Sequence, residues 1–251
     1  MPDDVIIVPE TRLGDSDRIY PGNRKIVLCQ NPFLVARLGF LAPPELIGSI
    51  CTSHACLSAM ERLLPGKRNF LVPLWLEEKQ FRFEQEKQKQ ILFMPRKGGE
   101  EARMVLNLLE KSGSLEGWKV TPVDGVAASE VAKMMRDSLV FLSFAQREGF
   151  GLPGAEAIAC GCLVIGYTGI GGDEYFSRFG GWPVQQQDVL GFADKIAAIL
   201  REYEQDPSDF DLGRQQQSAS ILAHYNRGSA ASALSQALRA LALDHLRNPS
   251  E

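Results

Sequence analysis

The chain has 251 residues, 45% of them hydrophobic and 23% charged, an ordinary globular composition sufficient for one large α/β core or two small ones. A net charge of −4 excludes the dense field of Lys and Arg that nucleic acid or an anionic membrane surface requires. No nucleic-acid partner is expected, and a phosphate-bearing ligand would have to be held by a few local cations and backbone amides.

The five cysteines, Cys29, Cys51, Cys56, Cys160 and Cys162, lie mostly in apolar stretches, which reads as a reducing, cytoplasmic setting. Cys160-Gly-Cys162 lacks the spacing of common zinc or redox sites, so no metal is expected. His54 opens a helix and reads as a capping or surface residue rather than a base. The opening Met-Pro-Asp-Asp carries acid where a secretion signal carries base, and no apolar run approaches the roughly 20 residues of a membrane span. Neither a signal peptide nor a transmembrane segment is expected.

In chain order, β-branched runs predict strands at Val5–Val8, Lys25–Cys29, Gly48–Thr52 and Asn69–Val72, the content of a first, partial Rossmann-like domain over residues 1–75. From Leu74 to Gln90 the composition turns polar without a clear apolar stripe. Residues 76–90 read as a linker between two domains, or as the solvated face of a helix inside one. Strands at Gln90–Met94, Trp118–Pro122, Ser138–Phe144 and Cys162–Tyr167 then build a second domain over residues 91–251. Glu100–Lys111 carries Ala102, Val105, Leu106, Leu108 and Leu109 at helical spacing, and Asp188–Tyr203 repeats the pattern with Asp188 as N-cap. A last helix, about Gln215–Leu246, breaks near Tyr225-Asn-Arg-Gly228. Strands alternating with helices predict an α/β fold with a parallel sheet covered by helices on both faces.

The informative stretch runs from Phe141 to Tyr167 as strand, glycine-bearing loop, helix, strand. Ligands of open parallel sheets lie outside the carboxyl ends of the strands, where this loop falls. Gly149 and Gly151 are read as positions where backbone approaches a ligand and adopts positive φ. Pro153 fits the first turn of a helix whose free N–H groups and dipole suit a phosphate. Glu148 precedes the loop and Glu156 is placed in the first turn after it, one acceptor-only carboxylate at each end for ligand hydroxyls. A glycine-bearing βα loop alone is weak evidence, and acids in a first turn also occur for dipole reasons.

Glu148-Gly-Phe-Gly-Leu-Pro-Gly-Ala-Glu156, followed by Ala-Ile-Ala-Cys-Gly-Cys and a strand, resembles the Glu, seven residues, Glu motif of retaining glycosyltransferases with paired Rossmann-like domains (GT-B), in their group 1 C-terminal domain. The resemblance implies that Glu148 contacts hydroxyls of the donor sugar, that Glu156 holds the ribose, and that amides of Phe150, Gly151 and Leu152 lie against sugar and diphosphate, with Gly149 in the same loop. Met94-Pro-Arg-Lys-Gly-Gly99 resembles the loop whose cations neutralise the diphosphate, which assigns Arg96 to catalysis and Lys97 to donor binding. Gly169-Ile-Gly-Gly-Asp-Glu-Tyr175 resembles a second glycine loop closing over the donor, with Gly171 and Gly172 in contact with it, and the turn Val123–Val126 lies where the family places the base.

The implied function is retaining, metal-independent transfer from a nucleotide diphosphate sugar, with no cofactor, to an unidentified glycan, lipid or protein acceptor in polysaccharide or glycan synthesis. The leaving phosphate would assist the acceptor on the same face of the sugar. Residues 1–75 resemble only the end of a family acceptor domain, so the N-terminal portion is read as shortened. A homo-oligomer or a partner chain would then supply the missing part. The alternatives are a non-catalytic nucleotide-sugar-binding subunit and a nucleotide-sugar epimerase.

Overall fold

The computed structural model describes residues 4–37 and 43–247. The elements in chain order are β1 (Val5–Pro9), a 3-10 turn (Glu10–Asp15), α1 (Ser16–Ile19), β2 (Arg24–Cys29), α2 (Pro32–Arg37), β3 (Leu46–Cys51), α3 (His54–Leu63) and β4 (Arg68–Leu71). They continue with β5 (Gln88–Phe93), α4 (Gly99–Lys111), β6 (Lys119–Pro122), α5 (Ala128–Asp137), β7 (Ser138–Glu148), α6 (Leu152–Ala159), β8 (Leu163–Ile170) and α7 (Asp173–Phe176). The last are β9 (Trp182–Pro183), α8 (Val189–Gln205), α9 (Ser208–His224) and α10 (Arg227–Arg247). All strand pairs are parallel, in two sheets of order β1-β2-β3-β4 and β6-β5-β7-β8-β9. This is the α/β architecture expected from the alternation of strand and helix patterns.

The chain divides into two compact units, one formed by residues up to Trp75 together with those from Arg227 onward, the other by Leu76–Asn226. That division differs from the expected one at two places. The last helix, α10, belongs to the first unit rather than the second. Its strands present apolar residues alternately to both faces: Val27 and Cys29 pack with Cys56 and Met60 of α3, while Ile26 and Ile50 pack with Leu241 of α10. The crossover helix covers one face only, so burying the other requires a helix from the far end of the chain. Gly48 marks the close approach, since a Cβ there would stand 2.3 Å from the Arg68 carbonyl oxygen and 2.7 Å from Leu241.

The second difference is the segment 76–90, which is no linker but part of the second unit. Leu76 and Phe81 are buried. The guanidinium of Arg214, itself buried, donates to the carbonyls of Gly161 at 3.0 Å and Gln85 at 3.3 Å and pairs with Asp211 at 2.7 Å. Lys87 donates to the carbonyls of Met135 at 2.9 Å and Cys160 at 2.7 Å, near the C-terminal ends of α5 and α6 where a cation is favoured. Burial lowers its pKa. The core of this unit lies between the sheet and α4 and α8, where Val105, Leu109, Phe192 and Ile196 meet Ile91, Leu142 and Ile165. The Asp188 side chain accepts from the Gly191 amide at 2.9 Å, as expected of an N-cap.

All five cysteines are buried free thiols. His54 is exposed at the start of α3, whose N-cap is Ser53. Among the described residues no helix is long and apolar enough to cross a membrane.

Candidate functional site

The second sheet places β5 between β6 and β7, so the connections from β5 and from β7 leave toward opposite sides. The loops after these two strands therefore border the crevice in which an open parallel sheet binds ligands. Met94 and Lys97 from the first loop, Phe144 and Glu148 of β7, and Gly151 and Gly154 at the start of α6 line a cleft with about 330 Å³ of empty space, counting the part open to solvent. The Lys97 ammonium is ion-paired with the Glu148 carboxylate across this crevice. Arg96, assigned above to catalysis, is exposed on the same loop and does not line the cleft. Lys97 is the cation brought to the site.

β7 runs to Glu148 and the chain then turns through Gly149-Phe150-Gly151 into α6. Gly151 has φ +85° and caps the helix, but Gly149 does not have positive φ, contrary to expectation. Phe150 is buried, its ring centroid 5.0 Å from those of Tyr175 and Tyr225. With that side chain anchored inward, the loop turns backbone rather than side chain outward. Among the described residues the amides of Phe150, Gly151 and Leu152 are donated to no protein acceptor. Three unspent N–H groups at the positive end of a helix are what an anion requires.

Gly171 and Gly172 play a different part from the one expected. Their amides are spent inside the protein, Gly171 on the Glu148 carbonyl at 3.1 Å and Gly172 on the Thr168 carbonyl at 3.0 Å. A Cβ on Gly171 would stand 2.0 Å from the Gly149 carbonyl oxygen. The second glycine loop thus supports the first by backbone-to-backbone packing, and neither glycine amide is left for a ligand.

Glu156 is the fifth residue of α6, past the first turn in which it was expected. Attraction to the helix dipole, concentrated in that first turn, is therefore no reason for an acid at this position. Among the described residues its carboxylate has no hydrogen bond or ion pair, and burial pushes its pKa up to about 7. Glu156 does not line the Lys97–Glu148 cleft. Both carboxylates nevertheless act on Tyr175, whose pKa is raised first by burial, then by Tyr225, Glu148 and Glu156. An acid kept partly buried and unpaired is costly to the fold, and such placements concentrate at functional sites.

Val123 of the turn after β6 is buried and Gly125 has φ +67°, on the same carboxyl edge of the sheet. Two residues that sequence reasoning passed over belong to the site's support. Tyr175 donates its hydroxyl to the Gly151 carbonyl at 2.6 Å, and Tyr225 donates to the Glu174 carboxylate at 2.9 Å. The aromatic residue that ends the second glycine loop was the available signal.

Residues 97–211 match the model of the family "Glycosyl transferases group 1". The matched stretch lies wholly within the second unit, the group 1 domain, and makes up less than half of the chain. An α-1,6-glucosyltransferase of Actinobacillus pleuropneumoniae serotype 7 is 36% identical over 84 residues, 32% of this chain and 26% of that protein. The crystal structure of TarM superposes with a TM-score of 0.70 at 12% identity, covering 96% of this chain and 55% of TarM. That of Anabaena HepE, solved with UDP and glucose, gives 0.67 at 12% identity, covering 94% and 78%. These structural likenesses establish the GT-B fold, and the chain spans little more than half the length of TarM. The group 1 match begins at Lys97 and includes Glu148, Glu156 and both glycine loops. Among the described residues of the group 1 domain and the first unit, no cluster of His, Cys, Asp and Glu is arranged to hold a metal ion.

Proposed function

We propose that the group 1 domain binds a nucleotide diphosphate sugar and transfers its sugar to a glycan, lipid or protein acceptor with retention of anomeric configuration. The observation that carries this reading is the set of unspent amides at Phe150–Leu152, placed beside Lys97 and bracketed by Glu148 and Glu156. In this scheme the diphosphate lies on the amides and Lys97, with Arg96 reaching it from the rim of the same loop. Breaking the glycosidic bond adds negative charge to the departing diphosphate, and fixed donors at that point lower the barrier without reorganising. Glu148 exchanges its contact with Lys97 for a sugar hydroxyl, while Glu156 accepts from the ribose. The departing phosphate oxygen takes the acceptor proton on the face it leaves, so the scheme uses no protein nucleophile and no metal or other cofactor. Polysaccharide or glycan synthesis is the proposed setting, and the buried free thiols support a reducing cytoplasm.

Calorimetry of the full chain against uridine, guanosine, adenosine and thymidine diphosphates tests the reading. One of them is expected to bind with micromolar affinity, weakened about tenfold or more by Glu156→Ala, because a lost hydrogen bond to a charged acceptor costs roughly 1.5–3 kcal/mol. Unchanged affinity in that variant would remove Glu156 from the site. Release of free sugar from the matching nucleotide sugar, absent in Glu148→Ala, is the expected sign of catalysis.

A further inference from the structure

The hydroxyl of Tyr175 occupies a space that three glycines keep clear. A Cβ on Gly154 would stand 2.6 Å from it, on Gly151 3.1 Å and on Gly172 3.2 Å. Tyr175 is 1% exposed and its hydroxyl donates at 2.6 Å to the carbonyl oxygen of Gly151. The same oxygen accepts the Gly154 amide at 3.1 Å. Two loops have therefore given up side chains at three positions to seat one phenol against one carbonyl.

The peptide that this hydroxyl grips joins Gly151 to Leu152. No peptide bond among the described residues is cis, and in a trans peptide the C=O and N–H point in opposite directions. Holding the Gly151 oxygen toward Tyr175 thus aims the Leu152 N–H the other way, and that N–H is one of the three unspent amides. Gly151, with no Cβ, is the residue least able to fix its own ψ, so the plane needs an external hold. Were the plane to turn, a carbonyl oxygen would replace an N–H donor in the anion site.

We propose that Tyr175 is a positioning residue for the donor: its hydroxyl locks the Gly151–Leu152 peptide so that the Leu152 N–H is presented to the diphosphate. This rests on the reading of the first glycine loop as the diphosphate site.

The test compares wild type, Tyr175→Phe, Gly154→Ala and the double variant. The probe is whichever of uridine, guanosine, adenosine and thymidine diphosphate the wild type binds in calorimetry. Tyr175→Phe keeps the ring against Phe150 and leaves the Gly151 oxygen its bond from Gly154. It is expected to unfold at the wild-type temperature yet bind about tenfold more weakly, the loss of one hydrogen bond to a charged group. Gly154→Ala is expected to lose a similar factor by pushing the hydroxyl aside. In the Tyr175→Phe background it should cost nothing more, because the nearest ring carbons lie 3.5 Å from the added Cβ, at ordinary contact distance.

The Leu152 amide proton in an NMR titration gives a readout that general stability does not move. It should shift downfield on ligand binding in wild type, and by less than half as much in Tyr175→Phe. Binding by Tyr175→Phe within twofold of wild type would overturn the proposal, as would an equal loss from Gly154→Ala in both backgrounds. Failure of the wild type to bind any of the four diphosphates would instead overturn the donor-site reading, and this inference with it.

Discussion

Replacing Glu156 with glutamine preserves the shape of a partly buried side chain and removes its charge. In the folded protein burial raises the carboxyl pKa from 4.5 to about 7. The folded state therefore favours the protonated form more than the unfolded chain does. Glu156 costs no stability below about pH 4.5, costs progressively more as pH rises, and exerts its whole penalty above about pH 7. A displacement of that size corresponds to at most about 3 kcal/mol, and partial contact with water reduces it to about 1–3 kcal/mol. Glutamine carries no charge at any of these pH values. Glu156→Gln is thus expected to be more stable than wild type by about 1–3 kcal/mol at pH 8 and equal to it within about 0.5 kcal/mol at pH 4. Urea unfolding of both proteins at the two pH values, followed by fluorescence of Trp118 and Trp182 in the second unit, measures this. The same substitution should weaken nucleoside diphosphate binding, so stability and affinity move in opposite directions. A variant no more stable than wild type at pH 8, or one whose advantage persists at pH 4, would refute the argument that desolvation of an unpaired carboxylate sets this pKa.

Glu148→Gln breaks the ion pair that holds Lys97. It is expected to bind a nucleoside diphosphate about threefold more tightly, since freeing a half-exposed cation is worth up to about 1 kcal/mol, and the matching nucleotide sugar more weakly; calorimetry with both ligands checks the crossing of effects. In a Lys97→Gln background the gain should vanish. Gly171→Ala forces a Cβ to 2.0 Å from the Gly149 carbonyl oxygen, so the first glycine loop must shift, and diphosphate binding should fall below detection with a loss of about 1–3 kcal/mol in stability. Lys87→Met removes the ammonium donor from the Met135 and Cys160 carbonyls, which keep bonds from the Cys162 thiol and the Glu84 amide, and is expected to cost about 1–2 kcal/mol, read from the urea midpoint.

Strands were legible wherever a β-branched or apolar run was bounded by turn residues, as at Lys25–Cys29 and Ser138–Phe144, because a strand buried on both faces needs apolar residues in succession. Trp182–Pro183 escaped because a two-residue edge strand leaves no run to read. The segment 76–90 looked like a linker because only Leu76, Phe81 and the polar Gln90 among its residues are deeply buried, while its ties run through the carbonyls of Glu84 and Gln85 to Arg214, which carry no sequence signature. The motif marked the position of the glycine loop, and Pro153 marked the start of α6. It could not distinguish Arg96 from Lys97 as the cation in the cleft, since neighbours on a loop face different ways according to its turn. Nor could it show that the Gly171 and Gly172 amides are already spent, because glycine is required equally for contact with a ligand and for contact with another backbone.

Because α10 closes the face of the first sheet that bears Ile26 and Ile50, the strands of that sheet, made well before it, cannot be completed until α10 emerges. At about 5–20 residues per second, that wait is on the order of ten seconds or more, during which the group 1 domain, continuous in sequence, can already have closed. The order of maturation is thereby reversed relative to the order of synthesis. A chain released before α10 would present oily strands to its neighbours, so premature termination should yield aggregates rather than a smaller soluble protein.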